Sequence, residues 1–222
     1  MNLQALLVHF LAAIGWAVLA APTHAASVAA QEGLVPVHSR NFDELYMRPN
    51  ADFAGYRRVM IDPVAVEFHK NWLRYNYYAR EVTRPVEEDK VNRIAEDTAS
   101  SVQASLADAF TARGYEIAAA PEPGVLRLSA SVADLYVNAP ERLSPWRTKT
   151  FARDAGEAVL LLEARDAVSG TLLGRVVHRG TAQQMGRLAR ASDVSNRFWF
   201  DAMFRRWAVN CVAEFEAGAN RP

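Results

Sequence analysis

The chain has 222 residues, half of them hydrophobic, and its 25 basic and 25 acidic residues cancel to a formal net charge of zero. A chain of this length can bury an adequate core in one domain, and its balanced charge gives no overall field that would attract nucleic acid. Cys211 is the only cysteine, which excludes an intramolecular disulfide and a cysteine-based metal cluster.

The first residues have the pattern of an export signal. The run from Leu3 to Ala21 has no charged residue, and the small residues Thr23 and Ala25 fit a cleavage site. We therefore predict a cleavable signal peptide over residues 1–25 and a periplasmic location. The alternative is a retained membrane anchor, because the run approaches the roughly 20 residues that a helix needs to cross a bilayer. Since no cysteine lies near the cut, we do not expect a lipoprotein.

The segment after the signal shows little periodicity of apolar residues. Residues 26–40 contain Gly33 and Pro36 and are predicted to form a disordered leader, followed by a single domain over residues 41–222. The first strand-like segment runs from Tyr56 to Phe68. Its alternation changes parity at Asp62-Pro63, and a proline there indicates an edge position or a bulge.

Two segments are candidate interaction surfaces because they combine aromatic and basic residues, which are enriched at binding hot spots. The segment from Asn71 to Arg84 leads into a helix, and the alternative is that its rings cap the sheet and pack under that helix. The segment from Arg142 to Arg153 could contact anionic lipid head groups or cell-wall polymer, and the alternative is a solvated loop. The candidate binding residues are Trp72, Arg74, Tyr75, Tyr77, Tyr78, Arg80, Arg142, Trp146 and Arg147.

A long helix is predicted between Pro85 and Gly114. Its mostly apolar residues recur at steps of three and four and form one stripe: Val91, Ile94, Thr98, Val102, Leu106 and Phe110. The proline is tolerated in a first turn and the glycine is a good C-terminal stop. Such a stripe has to be covered, and the strands on both sides of the helix provide the cover.

The rest of the chain alternates strands and turns before a final helix. A half-buried strand runs from Val125 to Val137, and a loop follows from Glu141 to Gly156. Strand runs at 159–165 and 172–181 flank a Gly-containing loop, which predicts a hairpin. An amphipathic helix follows from Asp193 to Ala217. The predicted fold class is α+β, with a mainly antiparallel sheet of four to five strands and two long helices packed on one face, in the order strand, helix, strands, helix.

The order of several short motifs resembles one family. These motifs are Tyr46 with Arg48-Pro49, then Tyr56, Ile61-Asp62-Pro63-Val64, Pro123-Gly124-Val125-Leu126, Arg165-Asp166 with Val168-Ser169-Gly170, and Trp207 in the terminal helix. Over most of the chain after the leader, the sequence resembles the bacterial envelope family known as domain of unknown function 3313. Many members look like lipoproteins, and this chain departs from them. The resemblance implies no established activity and no catalytic residues.

Few residues are candidates for catalysis or metal binding. After removal of the signal only His38, His69 and His178 remain, far apart, so neither a metal nor another cofactor is expected. Cys211 lies on the apolar face of the last helix, where a cysteine acts as a small buried hydrophobe. Glu67 and His69, near Asp62, could form an acid/base pair, although surface salt bridges explain them equally well. We find no nucleophile elbow, phosphate loop or zinc-protease motif.

We therefore expect an exported periplasmic protein that is not an enzyme and acts as a binding or accessory module of the cell envelope. Its partner is expected to be an envelope protein or a cell-wall or lipid surface, and the sequence does not give its oligomeric state. One alternative is a membrane-anchored subunit of an envelope assembly, which predicts that residues 3–21 are retained and an apolar patch is exposed. The other is a carboxylate-dependent hydrolase, which predicts a cleft lined by acids of perturbed pKa around Glu67 or Asp62.

Overall fold

The computed structural model describes residues 32–72, 88–138, 151–152, 154–183, 189–190 and 193–219. Two long helices lie in this part of the chain, α1 (Glu88–Thr111) and α2 (Asp193–Ala219), and residues 70–72 are also helical. The strands are β1 (Val35–Pro36), β2 (Glu44–Met47), β3 (Arg58–Ile61), β4 (Ala65–Phe68), β5 (Glu116–Ile117), β6 (Val125–Val137), β7 (Phe151–Ala152), β8 (Asp154–Asp166), β9 (Leu172–Gln183) and β10 (Ala189–Arg190).

Local sequence explains both ends of α1. Glu88 and Asp89 lie in its first turn, where carboxylates interact favourably with the positive end of the helix dipole. At the other end Gly114 has a φ of 84°, and its N–H donates to Thr111 O at 2.9 Å. The N–H of Tyr115 donates to Phe110 O at 3.1 Å, and the two rings pack edge to face. This combination is the Schellman motif that ends many helices at a glycine.

The predicted fold class was wrong about the sheet. The main sheet has eight strands in the order β1-β2-β9-β8-β6-β3-β5, with β4 also paired to β6, and β7 and β10 form a separate pair. The main sheet is mixed, because β3 and β4 pair with β6 in parallel and β3 pairs with β5 in parallel. The parallel pairs follow from the route of the chain, which leaves β3 and β4, passes through α1 and returns as β5 and β6, since such a crossover joins parallel strands.

The two helices lie side by side, pack on the sheet and run in the same direction. Arg197 of α2 pairs with Asp97 of α1. One turn further along, the hydroxyl of Ser101 donates to Asp201 at 2.5 Å. Near the C-terminal ends, Arg113 pairs with Glu216 at 2.7 Å. The N-terminal halves of α1 and α2 therefore lie at the same end of the molecule.

Two register irregularities bend the sheet at that same end. The pairing of β6 with β8 shifts between Ala133 and Tyr136, where Asp134 has a φ of 51°. The pairing of β8 with β9 shifts between Asp154 and Gly156, and the glycine has a φ of 142°. Bulges increase local twist and redirect the strand. They bring the end of the sheet close to the N-terminal half of α2.

The predicted leader and the predicted loop before Gly156 both contribute to the fold. Leu34, inside the predicted leader, is buried against Tyr46 and Leu172. β8 begins at Asp154, inside the predicted loop that ends at Gly156. Within the described part of the chain, neither helix has the apolar length that a bilayer span requires.

A charged network lies on the face of the sheet that the helices leave open. Glu163 of β8 accepts hydrogen bonds from Arg175 at 2.6 Å and from Arg165 at 2.7 Å, and Arg175 also pairs with Glu32. Burial by itself raises the pKa of the Glu163 carboxyl, but the hydrogen bonds from Arg175 and Arg165 outweigh it and hold that pKa below its usual value.

The lowered pKa of Glu163 predicts a pH-dependent contribution to stability. A carboxyl whose pKa falls on folding stabilises the fold above its unfolded pKa, here about 4.5, and this stabilisation is lost as the pH falls through the folded value. We expect Glu163→Gln to lower the free energy of unfolding at pH 7 and to lower it less with each step below pH 4.5. Urea unfolding across this range measures the difference. Glu157→Gln, on the same face of β8, is the control, and parallel pH profiles for wild type and Glu163→Gln would contradict the prediction.

Candidate functional site

A cleft of about 430 Å³ lies between the N-terminal halves of α1 and α2. The end of β6 reaches it through Val137. The apolar part of its wall consists of Ile94, Val137, Val194, Phe200 and Phe204. The helical period explains this wall, because Phe200 and Phe204 are four residues apart and lie on one face of α2.

The charged residues of the cleft hold its two walls together. Asp97 pairs with Arg197 across the helices, and Asp201 accepts the hydroxyl hydrogen of Ser101. Arg93 also lines the cleft. Exposed ion pairs stabilise a fold weakly, by roughly 0–1 kcal/mol. They connect α1 and α2 across the cleft.

Asn196 is a buried polar residue in the wall, with 3% of its surface exposed. Its amide nitrogen donates to the backbone oxygen of Asn138 at 2.7 Å. The side chain of Asn138 in turn donates to Asp154 at 2.5 Å, and its backbone N–H donates to Ala155 O at 2.9 Å. Because a carbonyl oxygen can only accept, the contact with Asn138 fixes which end of the Asn196 amide is the nitrogen.

The other end of the Asn196 amide lacks a partner. Its side-chain oxygen is buried and receives no hydrogen bond within the part of the chain that the structure describes. An unsatisfied buried polar atom costs about 1–3 kcal/mol. Such atoms are uncommon in native proteins and call for an explanation. The wall of the cleft thus consists of apolar side chains and one fixed hydrogen-bond acceptor that is buried within it and lacks a partner among the described residues.

The cleft has the properties of a small-molecule site. Ligand pockets typically measure roughly 300–1,000 Å³ and have mostly apolar walls with a small number of placed polar groups. In the described ranges, no group of three His, Cys, Asp or Glu side chains is placed to hold a metal ion. The arrangement supports binding through apolar contact and hydrogen bonding.

Only Trp72 among the predicted binding residues falls within the described residues. It is 2% exposed, its ring stacks on Phe68, and its indole N–H donates to Val137 O at 2.7 Å. It therefore packs behind the wall of the cleft. The other predicted binding residues, Arg74, Tyr75, Tyr77, Tyr78, Arg80, Arg142, Trp146 and Arg147, lie outside the described residues, and their role in binding stays a prediction.

The following contacts are made by other residues that were candidates for catalysis. Both oxygens of Asp62 accept from Arg127 Nε at 2.9 Å, and Ser129 donates to Asp62 at 2.5 Å. His69 Nδ1 accepts the backbone N–H of Asn71 at 3.2 Å. Cys211 is buried, and burial raises the pKa of its thiol to about 12, so the thiol stays protonated at neutral pH.

The sequence analysis missed Asn196, although a signal was present. Asn196 lies four residues before Phe200, and the apolar face of α2 continues through Phe204 and Trp207. A single amide on an otherwise apolar stripe is a buried polar residue that needs a partner. That partner, the backbone of Asn138, comes from a distant strand end and is visible only in the fold.

Several solved structures match the chain at low similarity. The PelC dodecamer from Paraburkholderia phytofirmans matches with 13% identity and a TM-score of 0.37, over 75% of this chain and 94% of that chain. Protein XCC0632 from Xanthomonas campestris matches with 9% identity and a TM-score of 0.38, over 73% of this chain and 86% of that chain. A DUF4136 family protein from Bacteroides thetaiotaomicron matches with 13% identity and a TM-score of 0.33, over 84% of this chain and 96% of that chain.

No curated protein matches the chain. The family model described as "Protein of unknown function (DUF3313)" matches residues 25–210, which is most of the sequence. The resemblance drawn from the order of the short motifs is thereby confirmed. The chain belongs to the DUF3313 family.

Proposed function

We propose that this protein is an exported binding module of the bacterial cell envelope, without catalytic activity, and that the cleft between α1 and α2 holds a small ligand. The observation that carries the proposal is the cleft itself, with its apolar wall and the buried amide of Asn196. An apolar ligand in the cleft would bury the side chains of this wall, and removing apolar surface from water favours binding.

The side chains around the cleft support binding over catalysis. A general acid or base has to reach the atom that it protonates or deprotonates. Asp97 is engaged by Arg197, and Asp201 is engaged by Ser101. These contacts support a structural role for both carboxylates.

A second candidate role is the membrane-anchored subunit of an envelope assembly. Val194 is 81% exposed and Phe198 is 57% exposed, and they lie one turn apart on α2 beside the mouth of the cleft. Large exposed apolar side chains that lie together favour contact with a partner. In this role the N-terminal apolar run would be retained as the anchor.

Cell fractionation of the full chain, followed by mass measurement, distinguishes the two roles. The exported-module proposal expects a periplasmic species that starts at Ala26, because the signal is removed after Ala25. The control is a variant with a charged residue in the apolar run, Leu7→Arg, which should block export and leave the full-length chain in the cytoplasm. A membrane-bound species that still carries Met1 would contradict the proposal and favour the anchored subunit.

The proposed ligand binding is tested with a fluorescent probe and with a variant whose larger side chain occupies the cleft. The probe is N-phenyl-α-naphthylamine, a small neutral aromatic amine whose fluorescence rises in apolar surroundings. We expect saturable binding to the mature protein. We expect this binding to be lost in Ile94→Trp, which puts an indole ring into the cleft. Ile117→Trp is the matched control, since Ile117 is 47% exposed on β5 and does not line the cleft. Equal binding to both variants would contradict the proposal.

A further inference from the structure

We infer that the ligand of the cleft carries an N–H or O–H donor within an apolar body, and that this donor pairs with the side-chain oxygen of Asn196. The inference rests on the proposed function and specifies the chemistry of its ligand. It concerns neutral amphipathic molecules such as secondary amines, amides or alcohols with a hydrocarbon or aromatic body.

The first step is the fixed orientation of the amide. Its nitrogen is committed to Asn138 O at 2.7 Å, and Asn138 is itself held on β8 through its contacts with Asp154 and Ala155. The oxygen of Asn196 therefore cannot change places with the nitrogen without losing a good hydrogen bond. The site offers an acceptor, and an acceptor needs a donor.

The second step separates Asn196 from another buried unsatisfied atom. Within the described residues, the indole N–H of Trp207 also lacks a hydrogen-bond partner. Trp207 packs against Gly180 and is not part of the wall of the cleft. Asn196 does line the cleft. Its unsatisfied acceptor is therefore the one that a ligand in the cleft can relieve.

The third step sets the charge of the matching group. A carboxylate or a doubly ionised phosphate has no hydrogen to donate at neutral pH, so an anionic end cannot pair with Asn196. An ammonium group could donate, but burying its charge next to Phe200 and Phe204 is costly. Of the two carboxylates that line the cleft, Asp97 is already paired with Arg197, and Asp201 accepts the hydroxyl hydrogen of Ser101. A neutral donor is the remaining match.

The acceptor is covered by the wall of the cleft, since its own exposed surface is less than 1 Å². An entering ligand must therefore displace part of the wall before its donor reaches Asn196. A ligand without a donor would have to occupy the cleft and leave the acceptor unsatisfied. Affinity should for this reason depend on the donor as well as on the apolar body.

The test compares two probes that differ in that donor. N-phenyl-α-naphthylamine has one N–H, and its N-methyl derivative has none. We expect the N-methyl probe to bind the mature wild-type protein about tenfold more weakly, as expected when a buried acceptor loses its donor. Asn196→Leu removes the acceptor and keeps a similar volume, so the two probes should bind this variant with similar affinity. Any steric effect of the methyl group persists in the variant and is thereby separated from the hydrogen bond.

The possible outcomes distinguish a failure of the inferred donor from a failure of the proposed ligand binding. If both probes bind wild type equally and Ile94→Trp abolishes both, the cleft binds ligands but the inferred donor is wrong. If neither probe binds, or Ile94→Trp has no effect, the proposed function itself fails. If Asn196→Leu does not fold, as judged by thermal unfolding, Asn196→Ala, which also removes the acceptor, takes its place in the comparison of the two probes. An unchanged preference in a folded Asn196→Leu would overturn the inference.

Discussion

Replacing Gly156 by alanine is expected to lower the free energy of unfolding by about 3–5 kcal/mol. A Cβ at this position would lie 1.9 Å from the backbone oxygen of Tyr136 and 2.9 Å from Cζ of Phe200. The backbone φ of 142° is also one that side-chain-bearing residues rarely adopt. The contact with Tyr136 cannot be relieved by rotating a side chain, because the atom belongs to the paired strand β6.

Gly170→Ala is the matched control for this prediction. Gly170 also has a positive φ, of 71°, but a Cβ there would meet nothing within 4 Å. Its replacement should cost only the conformational preference, roughly 1–2 kcal/mol. Urea unfolding of wild type and both variants measures the difference. Similar losses at Gly156 and Gly170 would show that the close approach of β8 to β6 and α2 does not limit stability.

The same glycine matters for the cleft. Phe200 packs over Gly156 and also lines the cleft, and Val137 pairs with Gly156 across the strands. The two bulges and the glycine thus set the distance between the sheet end and the N-terminal half of α2. The stability of the fold and the shape of the cleft depend here on the same close contact.

The sequence predicted those elements whose signals are local. The bounds of β6, Val125–Val137, agree with the alternation of apolar and polar residues and with the turn residues Pro123-Gly124 before it. α1 lies between the predicted limits Pro85 and Gly114, because dipole complementarity at its start and the Schellman glycine at its end depend only on neighbouring residues.

The sequence reasoning failed where the information is not local. β1 and β5 are two residues long each, which is too short to show any period. The parallel pairing of β4 with β6 could have been predicted, because a strand, a long helix and a strand in succession are typical of a parallel crossover. The site depends on Asn138 meeting Asn196 across 58 positions of sequence, and no local pattern specifies that contact.

Gly180→Ala is expected to destabilise the fold by about 1–3 kcal/mol, and the cost should depend on Trp207. A Cβ on Gly180 of β9 would lie 2.6 Å from Cζ2 of the indole ring and 2.9 Å from the sulfur of Met203. Met203 can turn aside, but the rigid indole cannot do so in a close-packed core. The glycine therefore allows α2 to lie directly on the sheet at this point.

A double-mutant cycle with Trp207→Phe tests this cause, because phenylalanine lacks the outer ring that the new methyl group would strike. Trp207→Phe also removes the indole N–H, which has no partner within the described residues. We expect Gly180→Ala to cost at least about 1 kcal/mol less in the Trp207→Phe background than in wild type. Gly174→Ala is the control on the same strand, since its nearest atom would be Tyr46 O at 3.4 Å, an ordinary contact. An equal cost of Gly180→Ala in both backgrounds would mean that strand conformation, and not the indole, makes the glycine necessary.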